Sequence, residues 1–302
     1  MTQPERKIAA MRTLWATALL CAGLLLTGPV WAQTVKIGSK NFTEQYVAAE
    51  IYAQALEDAG IKVERRINLG GTMIAHAALT AGQIDLYPEY TGTALLAVMK
   101  GEVSGDPQKV FDQVKAFYEE KFGLTWLSPT NVNNGYAIIV RPETAARYKL
   151  DTLTSLAGVS KELVLGAGTE FTDRFDGLPG LKQIYGIEFK QFRQFAKLGL
   201  RYDALQAKQI EVANGFSTDW QIEQEKLVVL TDDKNLFPPY FLAPVIRQDT
   251  LRANPRIAEV LNRVSATMDT DVMRRLNAEV ERDKDEPKDV ARRFLLSKHL
   301  VK

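Results

Sequence analysis

The chain reads as an α/β protein of two lobes joined by two crossovers. Three observations lead there. Strands and helices alternate from residue 35 to about residue 90; a second alternation runs from about 140 to 236; and a last apolar strand followed by a wholly helical tail returns the chain to the first unit. The boundaries that follow are 1–32 for an export segment, 33–138 with 237–302 for the first lobe, and 139–236 for the second. Two lobes crossed twice by one chain enclose a cleft that can open and close on a ligand. One continuous α/β sheet is the plainer alternative that the pattern leaves open.

Val35 to Gly38 alternates as a strand and ends in Gly-Ser-Lys-Asn. Thr43 is the expected N-cap of a helix whose residues Val47, Ala48, Ile51, Ala55 and Leu56 share one 3.6-period face, and Gly60 ends it. Lys62 to Ile67 alternates as a second strand, Gly70-Gly71-Thr72 opens a helix through Leu79, and Ile84 to Tyr87 is a third strand. This βαβαβ order implies a parallel sheet with ligand groups at the strands' carboxyl ends. Gly135 to Val140 is an apolar run before Arg141-Pro142, after which come strand Leu163 to Leu165, a helix near Thr169 to Phe175, strand Glu188 to Phe192, helix Tyr202 to Lys208 and strand Leu227 to Leu230. Phe237-Pro238-Pro239-Tyr240 then leads into strand Phe241 to Ile246, and Asn254 to Leu300 is helical in pattern. The mixed-sign run Glu281 to Lys288 reads as a solvated loop between helices.

Composition narrows the function. The 302 residues are 46% hydrophobic and 25% charged with a net charge of +1, so a nucleic acid or anionic membrane, which needs a basic excess, is not the expected partner. Residues 1–32 have the form of a secretory signal: basic Arg6, Lys7 and Arg12, an apolar stretch from Leu14 to Leu26 too short to span a bilayer comfortably, and Val30-Trp31-Ala32 before Gln33. The only cysteine, Cys21, follows Leu20 where lipidation would want a small residue. Cleavage after Ala32 leaves a cysteine-free chain with one more acidic than basic side chain, consistent with a periplasmic location.

Catalysis has little to work with. Past residue 32 only His76 and His299 could act as imidazole bases, and His76 lies in an Ala-rich helix where packing accounts for it. No Gly-x-Ser-x-Gly, His-Glu-x-x-His or phosphate-binding glycine loop occurs. Gly166-Ala167-Gly168 lacks the third glycine of a dinucleotide site, having Phe171 there. Aromatic residues are more informative, because Tyr90, Tyr136, Phe216 and Tyr240 fall beside turns, strand ends and both crossovers. Such rings can present π faces to a quaternary ammonium ion, although any one of them taken singly is better read as packing.

Gly38-Ser-Lys-Asn-Phe-Thr-Glu-Gln45, Asn68-Leu-Gly-Gly-Thr72, Gly82-Gln-Ile-Asp-Leu-Tyr-Pro-Glu-Tyr-Thr-Gly-Thr93, Asn134-Gly-Tyr-Ala-Ile138 and Phe237-Pro-Pro-Tyr-Phe-Leu-Ala-Pro244 resemble the osmoprotectant-type glycine betaine/choline substrate-binding proteins of ABC importers. The resemblance covers about Val35 to Phe294. It implies a type II periplasmic binding protein, not an enzyme and without cofactor or metal, that takes a small quaternary amine as a monomer and delivers it to permease subunits in the inner membrane. It also implies an aromatic cage of Tyr90, Tyr136, Phe216 and Tyr240, with Lys40, Thr93 and Arg174 meeting the ligand's carboxylate or hydroxyl. On the residues alone, Lys40 could be a plain loop lysine, Arg174 a surface ion pair and Thr93 a helix cap. Phe216 departs from the tyrosine of related proteins; it keeps a π face but loses a hydroxyl and some ring electron density. A binder of amino acids or small organic anions, a periplasmic enzyme and a receptor adaptor are the rival readings.

Overall fold

Alternate residues of the central strands face two different cores, and that period of two organises the first lobe. In the computed structural model, which describes residues 34–302, β3 (Leu86–Tyr90) turns Leu86 and Tyr90 toward one hydrophobic cluster and Tyr87 toward another. β10 (Leu242–Arg247) divides Leu242 and Ile246 from Ala243 and Val245 in the same way. The expected export segment, 1–32, lies outside the described residues.

The first sheet has the order β2-β1-β3-β10-β4, with β1 Val35–Gly38, β2 Val63–Arg66 and β4 Leu124–Trp126. β1 pairs in parallel with both β2 and β3, as a βαβαβ path requires, whereas β10 runs antiparallel between β3 and β4. β3 extends past the expected end at Tyr87 to Tyr90. Pro88 faces Pro244 in its register, so the two residues without an N–H oppose each other where neither has a ladder bond to lose.

Helix α1 (Thr43–Asp58) starts one residue earlier than its expected cap allows. Phe42 holds the extended N-cap geometry and Thr43 is already helical, so the side chain of Thr43 caps nothing. α2 is Thr72–Thr80. α3, Pro107–Phe122, is not announced by the strand–helix alternation, yet its local signals are clear: the Asp106 carboxylate accepts from the N–H groups of Gln108 and Lys109, Pro107 opens the first turn and Gly123 closes the last in the left-handed region.

The second sheet has the order β7-β6-β8-β5-β9: β5 Tyr136–Val140, β6 Val164–Ala167, β7 Gln191–Gln194, β8 Val212–Phe216 and β9 Val228–Leu230. β6 is parallel to β7 and β8; β5 is antiparallel to β8, placing Tyr136 opposite Phe216. α4 (Leu198–Gln206) precedes β8. Where a helix is expected near Thr169 to Phe175 there is one short 3-10 turn, Thr169–Thr172.

The chain passes from the first sheet to the second between β4 and β5 and returns between β9 and β10. These crossovers are bonded to each other: Asn133 bridges Phe241, Asn134 N–H donates to Tyr240 O at 3.0 Å, and Tyr240 N–H donates to Asn133 Oδ1 at 2.8 Å. The tail forms α5 (Arg256–Ser265), α6 (Thr270–Glu281) and α7 (Pro287–Ser297), whose Ile257, Leu261, Met273, Val290 and Leu295 bury against α1. The charged run is a loop from 282 to 286 as its composition implies, but Glu281 closes α6 and reaches the second lobe, accepting from Trp220 Nε1 at 2.9 Å and Gln221 Nε2 at 3.3 Å. No helix among the described residues is long and apolar enough to cross a membrane.

Candidate binding site between the lobes

A cavity of about 810 Å³ lies between the two lobes, and all seven sequence-derived candidates line it: Lys40, Tyr90, Thr93, Tyr136, Arg174, Phe216 and Tyr240. Their placement follows from the strands. Tyr90 ends β3, Tyr136 and Phe216 are the facing pair at the ends of β5 and β8, and Tyr240 sits in the return crossover.

The rings form one aromatic set. Tyr136 stacks on Phe216 at 5.1 Å between centroids and meets Tyr240 at 6.1 Å and 63°. The ring that completes the set is one that motif reading passes over: Phe42 stands 6.4 Å from both Tyr90 and Phe216 and nearly parallel to each. Its place inside the Gly-Ser-Lys-Asn-Phe-Thr-Glu block, directly after a parallel strand, is the signal that could have marked it.

Three of the cations that line the cavity already have a carboxylate partner. The Lys40 ammonium is ion-paired with Glu89, both almost wholly buried, and donates to Thr72 Oγ1 at 3.2 Å. Arg174 makes a two-point contact with Asp176. Arg201, fully buried on α4, donates to Asn214 at 2.9 Å and lies 3.5 Å from Asp219. The same cations also face the rings: Lys40 Nζ is 5.1 Å from the Tyr90 centroid, Arg174 Cζ 5.5 Å from Tyr136 and Arg201 Cζ 5.1 Å from Phe216. Lys40 is therefore no exposed loop lysine. Thr93 is buried and its hydroxyl caps no helix.

Carboxylates also position the hydroxyls of two of these rings. Tyr90 donates to Glu44 and Tyr240 to Asp176. Glu44 is buried and also accepts from Asn134 Nδ2 at 2.9 Å and Asn277 Nδ2 at 3.0 Å, while Thr218 donates to Asn134 at 3.0 Å. One acid thus joins the first lobe, a crossover and the second lobe. Burial raises its pKa above the ordinary glutamate value, with Thr218, Tyr90 and Asn277 working the other way. Burial likewise pushes Tyr136 up to about 12, against the pull of Arg174, so its ring stays a neutral phenol. The contacts among Glu44, Asn134 and Asn277 escape motif reading, although Glu44 and Asn134 lie within the Gly38 to Gln45 and Asn134 to Ile138 blocks, because the partners are far apart in sequence.

His76 has no place at this site. It packs edge-on against Tyr118 and Phe122 at 5.3 and 4.7 Å, and burial lowers its pKa. Among the described residues no group of three or more His, Cys, Asp or Glu could hold a metal ion.

Two lobes of mixed sheet, two bonded crossovers and an aromatic cavity between them define a substrate-binding protein of the type II class. The family model for the substrate binding domain of ABC-type glycine betaine transport systems matches residues 33–297, and the chain belongs to that family. It is therefore a binding component of an ABC transporter and not an enzyme. The chain is 35% identical over 301 residues to a glycine-betaine-binding protein of Pseudomonas aeruginosa, covering 96% of each chain. It is 34% identical over 292 residues to a carnitine transport binding protein of Listeria monocytogenes, covering 93% of this chain and 94% of that one. A solved structure titled as a glycine betaine/carnitine/choline ABC transporter superposes with a TM-score of 0.74 at 34% identity, covering 88% of this chain and 99% of that one.

Proposed function

We propose that the chain captures a small quaternary ammonium osmoprotectant, glycine betaine first and choline or a related betaine next, and hands it to the permease subunits of an ABC importer. The observation that carries this reading is the convergence of Tyr90, Tyr136, Phe216 and Tyr240 on one cavity. Cation–π contacts are worth about 0.5 to 2 kcal/mol each, so four rings supply roughly 2 to 8 kcal/mol. A micromolar complex needs about 8 kcal/mol net of association costs, so polar contacts from Lys40, Thr93 and Arg174 complete the site in this reading. The names of the relatives support the ligand class.

The division into 33–138 with 237–302 and 139–236 is part of the proposal, supported to within a few residues by the strands of each sheet. So are export through residues 1–32 to the periplasm and action as a monomer. A small organic anion is a poorer fit, because it brings no cation to the four ring faces. Calorimetric titration tests the ligand: glycine betaine or choline should saturate one site, and Tyr90→Ala should weaken that binding more than tenfold. Binding of an amino acid, with neither quaternary amine bound at millimolar concentration, overturns the reading.

A further inference from the structure

Glu170 reaches across the cleft. It stands on the 3-10 turn of the second lobe, and its Oε1 accepts the backbone N–H of Thr72, at 3.1 Å, on the first lobe. Thr72 is the first residue of α2, whose unpaired N–H groups favour negative charge. The hydroxyl of Thr72 is where Lys40 donates, and Glu170 Oε2 lies 3.8 Å from Nη1 of Arg174. The Glu170 carboxylate therefore occupies the point where α2, Lys40 through Thr72, and Arg174 converge, all within the cavity wall. Gly71 makes the approach possible: a Cβ there would lie 2.3 Å from Glu170 Oε1. The side chain of Glu170 is 44% exposed, so it can leave this position without opening a core.

We propose that Glu170 is a built-in competitor for the carboxylate of a betaine and thereby sets the preference between zwitterionic betaines and carboxylate-free cations such as choline. The inference rests on the quaternary-amine reading. Choline brings only a cation and an alcohol, so it can fill the cage while the Glu170 to Thr72 bond holds the lobes together. Glycine betaine brings an anion of the same kind as Glu170, and the two compete for one set of donors. Glu89 and Asp176 sharpen the competition, because Lys40 and Arg174 have little uncompensated charge left for a second carboxylate.

The test is calorimetric titration of glycine betaine and choline into the wild-type protein, Glu170→Gln, Glu170→Ala and Gly71→Ala. Gln removes the charge, Ala removes the acceptor, and the added methyl at position 71 displaces the carboxylate while keeping it in the chain. The expected result is a fall of fivefold or more in the ratio of the glycine betaine Kd to the choline Kd in each folded variant, with folding checked by thermal melting. If both ligands bind and the ratio stays within twofold of wild type, Glu170 is only a contact between lobes and the inference is overturned. If the wild-type protein binds neither ligand, the quaternary-amine reading falls and takes the inference with it.

Discussion

The hydroxyl of Tyr90 donates to Glu44 Oε1 at 2.7 Å, which ties a cavity-lining ring at the end of β3 to a buried acid in the first turn of α1. The acid keeps its proton to higher pH in the folded chain than in the unfolded one, because burial disfavours its charge. The stability this confers is complete below about pH 4.5 and is lost as pH rises through the folded value. Asp219 is raised by burial too and remains in any Glu44 variant. Glu44→Gln should therefore lose less stability than wild type between pH 4.5 and 7. Thermal melts across that interval should show their difference changing in favour of the variant, whereas a difference that stays constant with pH would show that Glu44 titrates alike in the folded and unfolded chains.

Tyr240 serves the cavity with both its ring and its hydroxyl. Tyr240→Phe keeps the π face but leaves Asp176, which is wholly buried, short of one donor. The loss should destabilise the fold by about 1 to 3 kcal/mol. Tyr240→Ala removes the ring as well. Calorimetry should find the Ala variant weaker for ligand by at least a further threefold than the Phe variant; equal affinities would mean the ring face does not contact the ligand.

Lys40 and Glu89 form a buried ion pair, and removing one partner strands the other. Lys40→Met should cost about 3 to 5 kcal/mol in denaturant unfolding, whereas Lys40→Met with Glu89→Leu should cost clearly less than the sum of the two single changes. Additive losses would show that the pair is not coupled.

Phe216→Tyr restores the hydroxyl and a more electron-rich ring at a position where Arg201 already faces the aromatic surface. A gain of about 0.5 to 1 kcal/mol corresponds to ligand binding roughly two- to fivefold tighter. Titration of one quaternary amine into both proteins measures it directly.

The alternation of strands and helices makes much of this fold readable in advance, since a strand shows as a short alternating or continuous apolar run distinct from the 3.6-residue period of a helix. Val35–Gly38 and Tyr136–Val140 are legible for that reason. Pro107–Phe122 has its caps in plain view at Asp106 and Gly123 and shows how an element outside the main rhythm is passed over. The site divides along a different line. Tyr90, Tyr136 and Tyr240 can be found because they sit in distinctive blocks, and Phe216 because it lies beside a turn at a strand end. Glu44 sits in such a block too, but its pairing with Asn277 cannot be read there, because the two are brought together from 233 positions apart by the packing of α6 on α1. Glu281 lies in a run of mixed charges and meets Trp220 only once the two lobes approach.

The two crossovers are joined by hydrogen bonds between Asn133, Asn134 and the backbone of Tyr240, so the lobes are connected by a ribbon and not by two independent threads. A ribbon bends more readily about one axis than it shears or twists, which reduces the relative motion of the lobes nearly to a single angle. One distance, measured between a dye on each lobe, should then follow occupancy of the cavity, which would make the molecule a one-coordinate gauge of its solute.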